Sequence, residues 1–330
     1  MRVCVTGATG FIGSHLTELL VRSGNAVKIL ARPSSDLSVL RGLDVEVARG
    51  DLVDATAVEK AISGCQHVYH LAAGTNRAQL SQQQNYAINV EGTRHVVLAA
   101  KKAGVERLVY GSSCGVYGTI RTPPANENTK VQPNTYYRAS KLMAEQIVRA
   151  AFVESRLPVV IARIPSVIGP RATNWLGLAH VIAAGKFRLL GSGENHKHLG
   201  YVSDVVQGLQ RCGTVPGIEG QSYILAGNEP VTFAQFVDLI AQELGVELLH
   251  GYMIPEPFRV FHTLAEKIFL TFGVEIRLAH RYELFFTDEV FQITKARQEL
   301  GYEPTVSVGD GVRQMVQWYR EHGGLPPRQP

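Results

Sequence analysis

The sequence of 330 residues predicts an α/β fold built on a doubly wound parallel sheet. Three observations support this prediction. Short apolar runs alternate with amphipathic helical segments in the first half of the chain, a glycine-rich loop joins the first apolar run to the first helix, and the regular alternation stops after Pro165. Because 45% of the residues are hydrophobic and 19% are charged, the chain can bury a large core.

Each element follows from its local pattern. Residues 2–6 form a Val-rich run bounded by glycine, which predicts a buried strand. Helical apolar spacing continues from Gly13 to Arg22 and ends at Ser23-Gly24, a signal for a helix C-terminus. The same reasoning predicts strands at 27–30, 45–48, 67–71, 107–110 and 159–163, and helices at 55–62, 89–103, 137–155, 232–244 and 308–318.

The composition changes after Pro165, where proline and glycine interrupt shorter segments. We therefore predict a Rossmann-type dinucleotide-binding domain over residues 1–166 and about 199–228. A smaller, irregular α/β substrate domain is predicted over about 167–198 and 229–330.

Charge and cysteine usage exclude several classes of protein. The net charge is only +4 and no Lys/Arg run occurs, so we expect no nucleic-acid or membrane partner. No stretch reaches the roughly 18 apolar residues of a membrane span, and the N-terminus leads directly into the glycine loop, which leaves no room for a leader. Four separated cysteines predict neither a disulfide framework nor a metal site, and we expect a cytoplasmic protein. The cysteines are Cys4, Cys65, Cys114 and Cys212.

The loop between the first strand and the first helix predicts a dinucleotide site. Gly7 permits a sharp turn, Gly10 lets the backbone approach a pyrophosphate, and Gly13 lets the helix pack closely on the strand. Together with Phe11 and Ile12, these residues direct the free N–H groups of the helix start toward the phosphates.

The end of the second strand distinguishes NAD from NADP, because an acid there would bind the ribose 2′-hydroxyl and repel a 2′-phosphate. Arg32 and two serines stand there instead, so NADP is the predicted cofactor and NAD the alternative. Asp36 could still reach a ribose by another route. The further residues predicted to line the cofactor follow the third, fourth and sixth strands and are Asp51, Leu52, Leu71, Ala72, Ala73 and Pro165.

Tyr137 and Lys141 are four residues apart and therefore share one face of a predicted helix. A tyrosine with an ordinary pKa near 10 is a poor base, and the Lys141 ammonium would favour its phenolate. Ser113 follows the fifth strand, at the edge where open α/β sheets bind ligands. We expect Ser113 and Tyr137 to hold the same substrate oxygen.

The sequence resembles the extended short-chain dehydrogenase/reductases of the NAD(P)-dependent epimerase/dehydratase family. The likeness rests on residues 6–13, 89–93 and 112–118 and on the Tyr137/Lys141 pair. It implies Ser113, Tyr137 and Lys141 as a catalytic triad, Asn89 as a cofactor contact, and a homodimer formed by the helices 89–103 and 137–155. The N-terminal half is similar to sugar-nucleotide 4-epimerases, and residues 294–302 resemble the 3β-hydroxysteroid-dehydrogenase-like members as well.

Three departures from the family pattern bear on the reaction. Cys114-Gly115 stands where the dehydratases carry Asp-Glu, so we do not expect dehydration. Ser166 replaces an Asn, and Lys197-His198 replaces Arg-Asp, at positions that serve sugar-diphosphate binding in the family. Ser166 and Lys197 are the predicted substrate contacts, with Lys197 as a point charge for a phosphate. His196 and His198 alternate without a third ligand, so we expect both histidines to be solvated and no metal to be bound.

The predicted chemistry is NAD(P)-dependent hydride transfer at a secondary alcohol or ketone carbon of a small molecule. The family pattern favours a nucleotide-sugar-type epimerase. Arg32 favours the alternative of an NADPH-dependent ketoreductase or dehydrogenase for a sugar or hydroxysteroid-like substrate, because an enzyme that regenerates its own cofactor gains nothing from choosing NADPH. A non-catalytic NADP-sensing protein is an alternative of another class, which the intact Ser113, Tyr137 and Lys141 disfavour.

Overall fold

The computed structural model of the protein describes residues 1–75, 80–248 and 252–325. The strands are β1 (Arg2–Thr6), β2 (Ala26–Ala31), β3 (Val45–Arg49), β4 (His67–His70), β5 (Arg107–Ser113), β6 (Val159–Ile164), β7 (Val167–Ile168), β8 (Leu189–Leu190), β9 (His196–Lys197), β10 (Gly200–Tyr201), β11 (Ser222–Ile224), β12 (Val231–Thr232) and β13 (Tyr252–Met253). Seven of them form a parallel sheet in the order β11-β6-β5-β4-β1-β2-β3. The predicted fold class is confirmed.

Helices pack on both faces of this sheet, and further helices belong to the second half of the chain. They are α1 (Phe11–Arg22), α2 (Ala55–Ile62), α3 (Gln82–Tyr86), α4 (Gly92–Ala103), α5 (Tyr136–Ser155), α6 (Leu176–Ala183), α7 (Val202–Thr214), α8 (Phe233–Leu244), α9 (Glu256–Phe272), α10 (Arg277–Glu283) and α11 (Val308–Glu321). Among the described residues, no helix combines the length and the apolar character that crossing a bilayer requires.

Strand order reverses at β1, since β2 and β3 lie to one side of it and β4, β5 and β6 to the other. Thr6, the last residue of β1, pairs with Leu30 on β2 and with His70 on β4. The loops that leave β1 and β4 therefore begin at the same edge of the sheet. This is the topological switch point at which parallel α/β sheets bind ligands.

The strands are apolar on both faces because each face is covered. Val5 and Ile29 pack with Leu16 of α1 in one core cluster, and the adjacent Cys4 packs with Val96 of α4 in the other. Successive strand residues point to opposite faces, so the alternation of clusters along β1 follows from the pleat. All four cysteines are buried and unpaired with one another by disulfides.

The chain beyond β6 contains several smaller units. Three two-stranded sheets join β7 to β10, β9 to β12, and β8 to β13 within the described residues. β11 then returns to the central sheet beside β6, which places residues 222–224 with the first half of the chain. The division into two domains stays a prediction.

Candidate active site

The glycine loop between β1 and α1 is closely packed at two of its three glycines. Gly7 has a φ of +78°, and a Cβ there would lie 2.6 Å from the backbone nitrogen of Ala72, just beyond β4. A Cβ on Gly13 would lie 2.0 Å from the carbonyl oxygen of Gly7. Both positions therefore require glycine, and α1 begins directly against the loop.

The N-terminus of α1 is open to a ligand. Gly10 is its N-cap and is exposed, no side chain caps the helix, and its first turn contains no acid. Phe11 and Ile12, the first two helical residues, are half-buried. A helix start with uncapped N–H groups, above a turn that a Cβ would fill, fits a dinucleotide diphosphate.

A buried hydrogen-bond chain connects this loop to the helix that follows β4. Thr93 Oγ1 donates to the Asn89 carbonyl (2.6 Å), so it accepts from His70 Nε2 (3.0 Å). His70 Nδ1 is then the acceptor for Thr6 Oγ1 (2.7 Å), and Thr6 Oγ1 accepts from Ala72 N (3.3 Å). Burial, aided by the charge of Lys141, lowers the pKa of His70 to about 3, which keeps the ring neutral in this tautomer.

Asn89 lies in a π-helical segment, Ala87–Glu91, that interrupts the predicted helix 89–103. Its side-chain amide donates to Gly74 O (3.0 Å) and Ser140 Oγ (2.8 Å), and its oxygen accepts from Gly74 N (2.7 Å). Asn89 thereby joins the chain after β4 to α5, the helix that carries Tyr137. Its role as a cofactor contact stays a prediction. Leu71, Ala72 and Ala73 are half-buried between these two points.

The residues after β2 and β3 have distinct surroundings. Arg32 is exposed, and its carbonyl accepts from Arg49 (3.1 Å). Asp36 accepts from the backbone and side chain of Ser38 (2.8 and 2.7 Å). Because its carboxylate already has these partners, the alternative in which Asp36 binds a ribose is not favoured. These bonds lower the pKa of Asp36. Asp51 accepts from Val53 N (3.1 Å), and Leu52 is buried beside Gly92 of α4.

Ser113 and Tyr137 are brought together by β5 and the first turn of α5. Thr135 caps α5 by accepting from Arg138 N (3.1 Å). The cap fixes the start of the helix and therefore the position of Tyr137 in its first turn. Ser113 Oγ accepts from Gly115 N (3.0 Å), and Ser113 is near enough to Tyr137 to oppose the rise in the pKa of its phenol. Burial raises the pKa of Tyr137 and outweighs the opposite effects of Ser113 and Arg138.

Lys141 lies one turn along α5 and is buried. Its Nζ donates to Gly111 O (2.6 Å) and lies 4.3 Å from the centre of the Tyr110 ring. Burial lowers its pKa to about 7, against the opposing charge of Glu145. The sequence predicts that Lys141 favours a Tyr137 phenolate; in this arrangement the raised pKa of Tyr137 keeps the phenol protonated.

Glu145 continues the same face of α5 and is held by a buried ion pair. Arg163, on β6, donates to both of its carboxylate oxygens (3.1 and 2.9 Å) and to Tyr117 Oη (2.8 Å). Arg163 therefore compensates the burial of a carboxylate one turn beyond Lys141. No local pattern in the sequence indicates this pair, since only the tertiary fold brings β6 beside α5.

The two predicted substrate contacts, Ser166 and Lys197, differ in how far they are buried. Pro165 and Ser166 are half-buried just beyond β6, and the Ser166 carbonyl accepts from Gly200 N (2.9 Å). Lys197 is fully buried: its Nζ donates to Thr287 O (3.0 Å) and lies 3.6 Å from Glu289 Oε1. The predicted phosphate contact of Lys197 is not favoured, because its ammonium already has internal partners.

The histidines beside Lys197 differ from each other. His196 is exposed and lies 3.3 Å from Asp288, whereas His198 is buried between Gly227 O (2.8 Å) and Phe291 N (3.2 Å). The expectation that both histidines are solvated is wrong for His198. No cluster of three or more His, Cys, Asp or Glu side chains that could hold a metal occurs in the described ranges.

Comparisons with known proteins agree with this geometry. The sequence model of the NAD dependent epimerase/dehydratase family matches residues 3–218. The 3beta-hydroxysteroid-dehydrogenase/decarboxylase isoform 1 of Arabidopsis thaliana is 30% identical over 348 residues, which cover 94% of this chain and 78% of that protein. Sterol demethylase protein B of Methylococcus capsulatus is 30% identical over 340 residues, which cover 98% of this chain and 99% of that protein.

Solved structures are similar over nearly the whole chain. The crystal structure of gox2253 superposes with a TM-score of 0.83 at 30% identity and covers 98% of this chain and 99% of that one. DesIV, a dTDP-glucose 4,6-dehydratase from Streptomyces venezuelae crystallised with NAD, superposes with a TM-score of 0.80 at 26% identity, covering 98% of each chain.

Proposed function

The chain belongs to the NAD dependent epimerase/dehydratase family, and on that premise we propose that it reduces a ketone, or oxidises the corresponding secondary alcohol, of an apolar hydroxysteroid-like substrate. As an extended short-chain dehydrogenase/reductase, it is an NAD(P)-dependent oxidoreductase or epimerase. The observation that carries the proposed substrate class is the internal pairing of Lys197, which leaves the position predicted to bind a diphosphate without an available cation.

NADP is the cofactor that we propose. The tight loop at Gly7 and Gly13 and the uncapped start of α1 suit the diphosphate that NAD and NADP share. Arg32 supports the phosphorylated form, because its exposed guanidinium stands where an acid would reject a 2′-phosphate. When bound, the nicotinamide supplies or accepts the hydride.

The protein's own part in the reaction is to hold the substrate oxygen and move one proton. Ser113 Oγ and Tyr137 Oη bind the ketone oxygen, and Tyr137 Oη gives its proton to that oxygen as the carbon gains a hydride. The phenol holds the required proton at neutral pH, because the ordinary pKa of tyrosine is near 10 and burial raises the pKa of Tyr137. In the reverse direction Tyr137 must receive the proton, and a charged Lys141 one turn away favours its phenolate.

The relatives support an apolar substrate. The Arabidopsis and Methylococcus proteins are named for hydroxysteroid and sterol chemistry, and both match this chain almost from end to end. A nucleotide-sugar epimerase is the second candidate, favoured by the family model and by structural similarity to a UDP-glucose 4-epimerase of Thermotoga maritima with a TM-score of 0.80. An epimerase would transfer the hydride twice at one carbon and leave no net change in the cofactor.

An assay of the purified protein separates these candidates. We expect a ketosteroid to consume NADPH, and a UDP-sugar to give neither an epimer nor a change in bound cofactor. Epimer formation without net cofactor consumption would establish the second candidate instead.

Replacement of Tyr137 tests the catalytic assignment. Tyr137→Phe should lower turnover about a thousand-fold while NADPH still binds, because it removes the transferred proton but keeps the ring. Tyr136→Phe is the matched control, since that neighbouring hydroxyl bonds Gly273 O (2.8 Å), outside the catalytic pair. Equal turnover by Tyr137→Phe and wild type would refute the assignment and favour a sensing role.

A further inference from the structure

Large hydrophobic side chains are exposed unevenly over the described surface. Eight of the fifteen that are exposed lie between residues 253 and 278, on α9 and the segments that flank it. They are Met253, Ile254, Val260, Leu264, Leu270, Phe272, Val274 and Leu278, with exposed fractions from 42% to 75%. We call this set the outer face. Such a concentration marks an interaction surface, whereas single exposed hydrophobic residues are ordinary.

The opposite side of the same segment carries carboxylates that bind the body of the protein. Glu266 accepts from Thr119 Oγ1 (2.7 Å), and Glu275 accepts from Tyr136 N (2.8 Å). Glu283 binds Arg138 (2.8 Å). Apolar groups also face the body of the protein, since Ala265 is buried and Phe269 packs on Tyr136. The aliphatic side chains of the outer face are therefore in excess of those that α9 uses to pack on the protein.

The charges around the outer face are mainly basic. Arg259 and Lys267 are exposed on α9, and Lys186 and Arg188 are exposed just before β8, which pairs with β13 at the edge of the outer face. The exposed acid on α9 is Glu256, in the first turn, where the helix dipole stabilises a negative charge. Apolar side chains mixed with Lys and Arg fit the boundary of an anionic bilayer.

The outer face adjoins the catalytic helix. Tyr136 Oη donates to Gly273 O (2.8 Å), directly after Phe272 and before Val274. Tyr136 precedes Tyr137 in the chain, so the apolar tip of α9 lies beside the first turn of α5. A substrate that approached along this tip would arrive at the catalytic phenol.

We propose that the outer face docks on the surface of an anionic lipid bilayer, and that an apolar substrate passes from the bilayer to Tyr137. The bilayer contact rests on the outer face alone, whereas substrate delivery also rests on the proposed function. The prediction of no membrane partner rests on the absence of membrane spans and of runs of basic residues in the sequence. The outer face has no such local signal, because the tertiary contacts of Glu266, Glu275 and Glu283 hold the opposite side of the segment against the protein.

The test is cosedimentation of the full chain with vesicles of phosphatidylcholine and phosphatidylserine at about a 7:3 ratio, beside vesicles of phosphatidylcholine alone. We expect the chain to sediment with the anionic vesicles, and less so at high salt. The double variant Val260→Ser/Leu264→Ser should lose about ten-fold or more in vesicle affinity. Val53→Ser is the matched control, since Val53 is 47% exposed far from α9 in the sequence and should change nothing.

Three outcomes would overturn the docking proposal: wild-type chain that stays in the supernatant, a double variant that binds vesicles like wild type, or a double variant that alters only the oligomeric state. The last outcome would assign the outer face to a second copy of the chain. Circular dichroism of the variants separates these results from misfolding.

Activity measurements distinguish an error in the docking proposal from an error in the proposed function. With a ketosteroid dispersed in detergent, the double variant should match wild type; with the same ketosteroid in anionic vesicles, it should be about ten-fold slower. Turnover without vesicle binding refutes only the docking surface. Vesicle binding without turnover of any ketosteroid refutes only the proposed function.

Discussion

Lys141 is a lysine that the fold removes from water. Its ammonium is buried, its one hydrogen-bond partner identified in the described structure is the Gly111 carbonyl, and its pKa falls to about 7. Because the folded pKa lies below the unfolded value near 10.4, the unfolded chain binds a proton more readily between these two values. The folded protein is therefore less stable at pH 7 than at higher pH, as far as this group is concerned.

We predict that Lys141→Met removes this pH dependence. Between pH 7 and 8.5, the difference in unfolding free energy between wild type and variant should change by about 1 kcal/mol per pH unit, with wild type gaining as pH rises. Urea denaturation at several pH values measures it. Lys102→Met is the control, because Lys102 is 69% exposed and should leave the slope unchanged. Parallel pH profiles for wild type and Lys141→Met would contradict the buried, shifted ammonium.

Arg32 is the residue that selects between the two cofactors in our proposal. Arg32→Ala should raise the KM for NADPH about ten-fold or more and leave the KM for NADH nearly unchanged, because a charge-assisted bond to the 2′-phosphate is lost. Steady-state kinetics with both cofactors measures this ratio. Arg41→Ala, another exposed arginine of the same region, is the control. An equal rise for both cofactors would mean that Arg32 does not contact the phosphate.

At the scale of elements, the sequence predicts best the strands and helices that have strong local signals. The strand predicted at 2–6 is β1, and the helix predicted at 55–62 is α2, because continuous apolar runs and capping signals are local features. The π-helical segment at Ala87–Glu91 was missed, since nothing in the spacing distinguishes it from α-helix. Asn89, at its centre, is held by contacts to α5 that only the fold supplies.

The same limit applies to the candidate site. Ser113, Tyr137 and the glycine loop could be identified because each follows a strand or starts a helix in a recognisable pattern. The internal pairing of Lys197 could not be predicted, because its partners Thr287 and Glu289 lie about ninety residues further along the chain. Long-range pairing of charges leaves no local signal.

The junction of β1 and α1 offers a prediction at this scale. Gly13→Ala should displace the loop and lower NADPH affinity about a hundred-fold, because its Cβ would lie 2.0 Å from Gly7 O. Isothermal titration measures the affinity. Gly177→Ala, in α6 with open space around its Cβ, should instead raise stability by up to about 1 kcal/mol. Normal cofactor binding by Gly13→Ala would show that the tight packing is not required.

For the whole molecule, α4 and α5 present the features of a subunit interface. They pack side by side on one face of the sheet, and both expose large apolar side chains. Leu98 on α4 is 57% exposed, and Met143 and Val153 on α5 are 45% and 71% exposed. The resemblance to the extended short-chain dehydrogenase/reductases implies a homodimer through this helix pair, and an isologous two-fold contact is the commonest form of homodimer.

We therefore predict a dimer with twice the mass of the 36.1 kDa chain in sedimentation-velocity experiments. Leu98→Arg/Met143→Arg should convert it to a monomer, because two copies of each new charge would be buried against each other without partners. Val53→Arg, an equally drastic change at another exposed valine, should leave the mass unchanged. Leu98 and Met143 are not part of the outer face, so the monomeric variant should keep its affinity for anionic vesicles. A wild-type chain that sediments as a monomer, or a dimer that survives both arginines, would place the contact elsewhere.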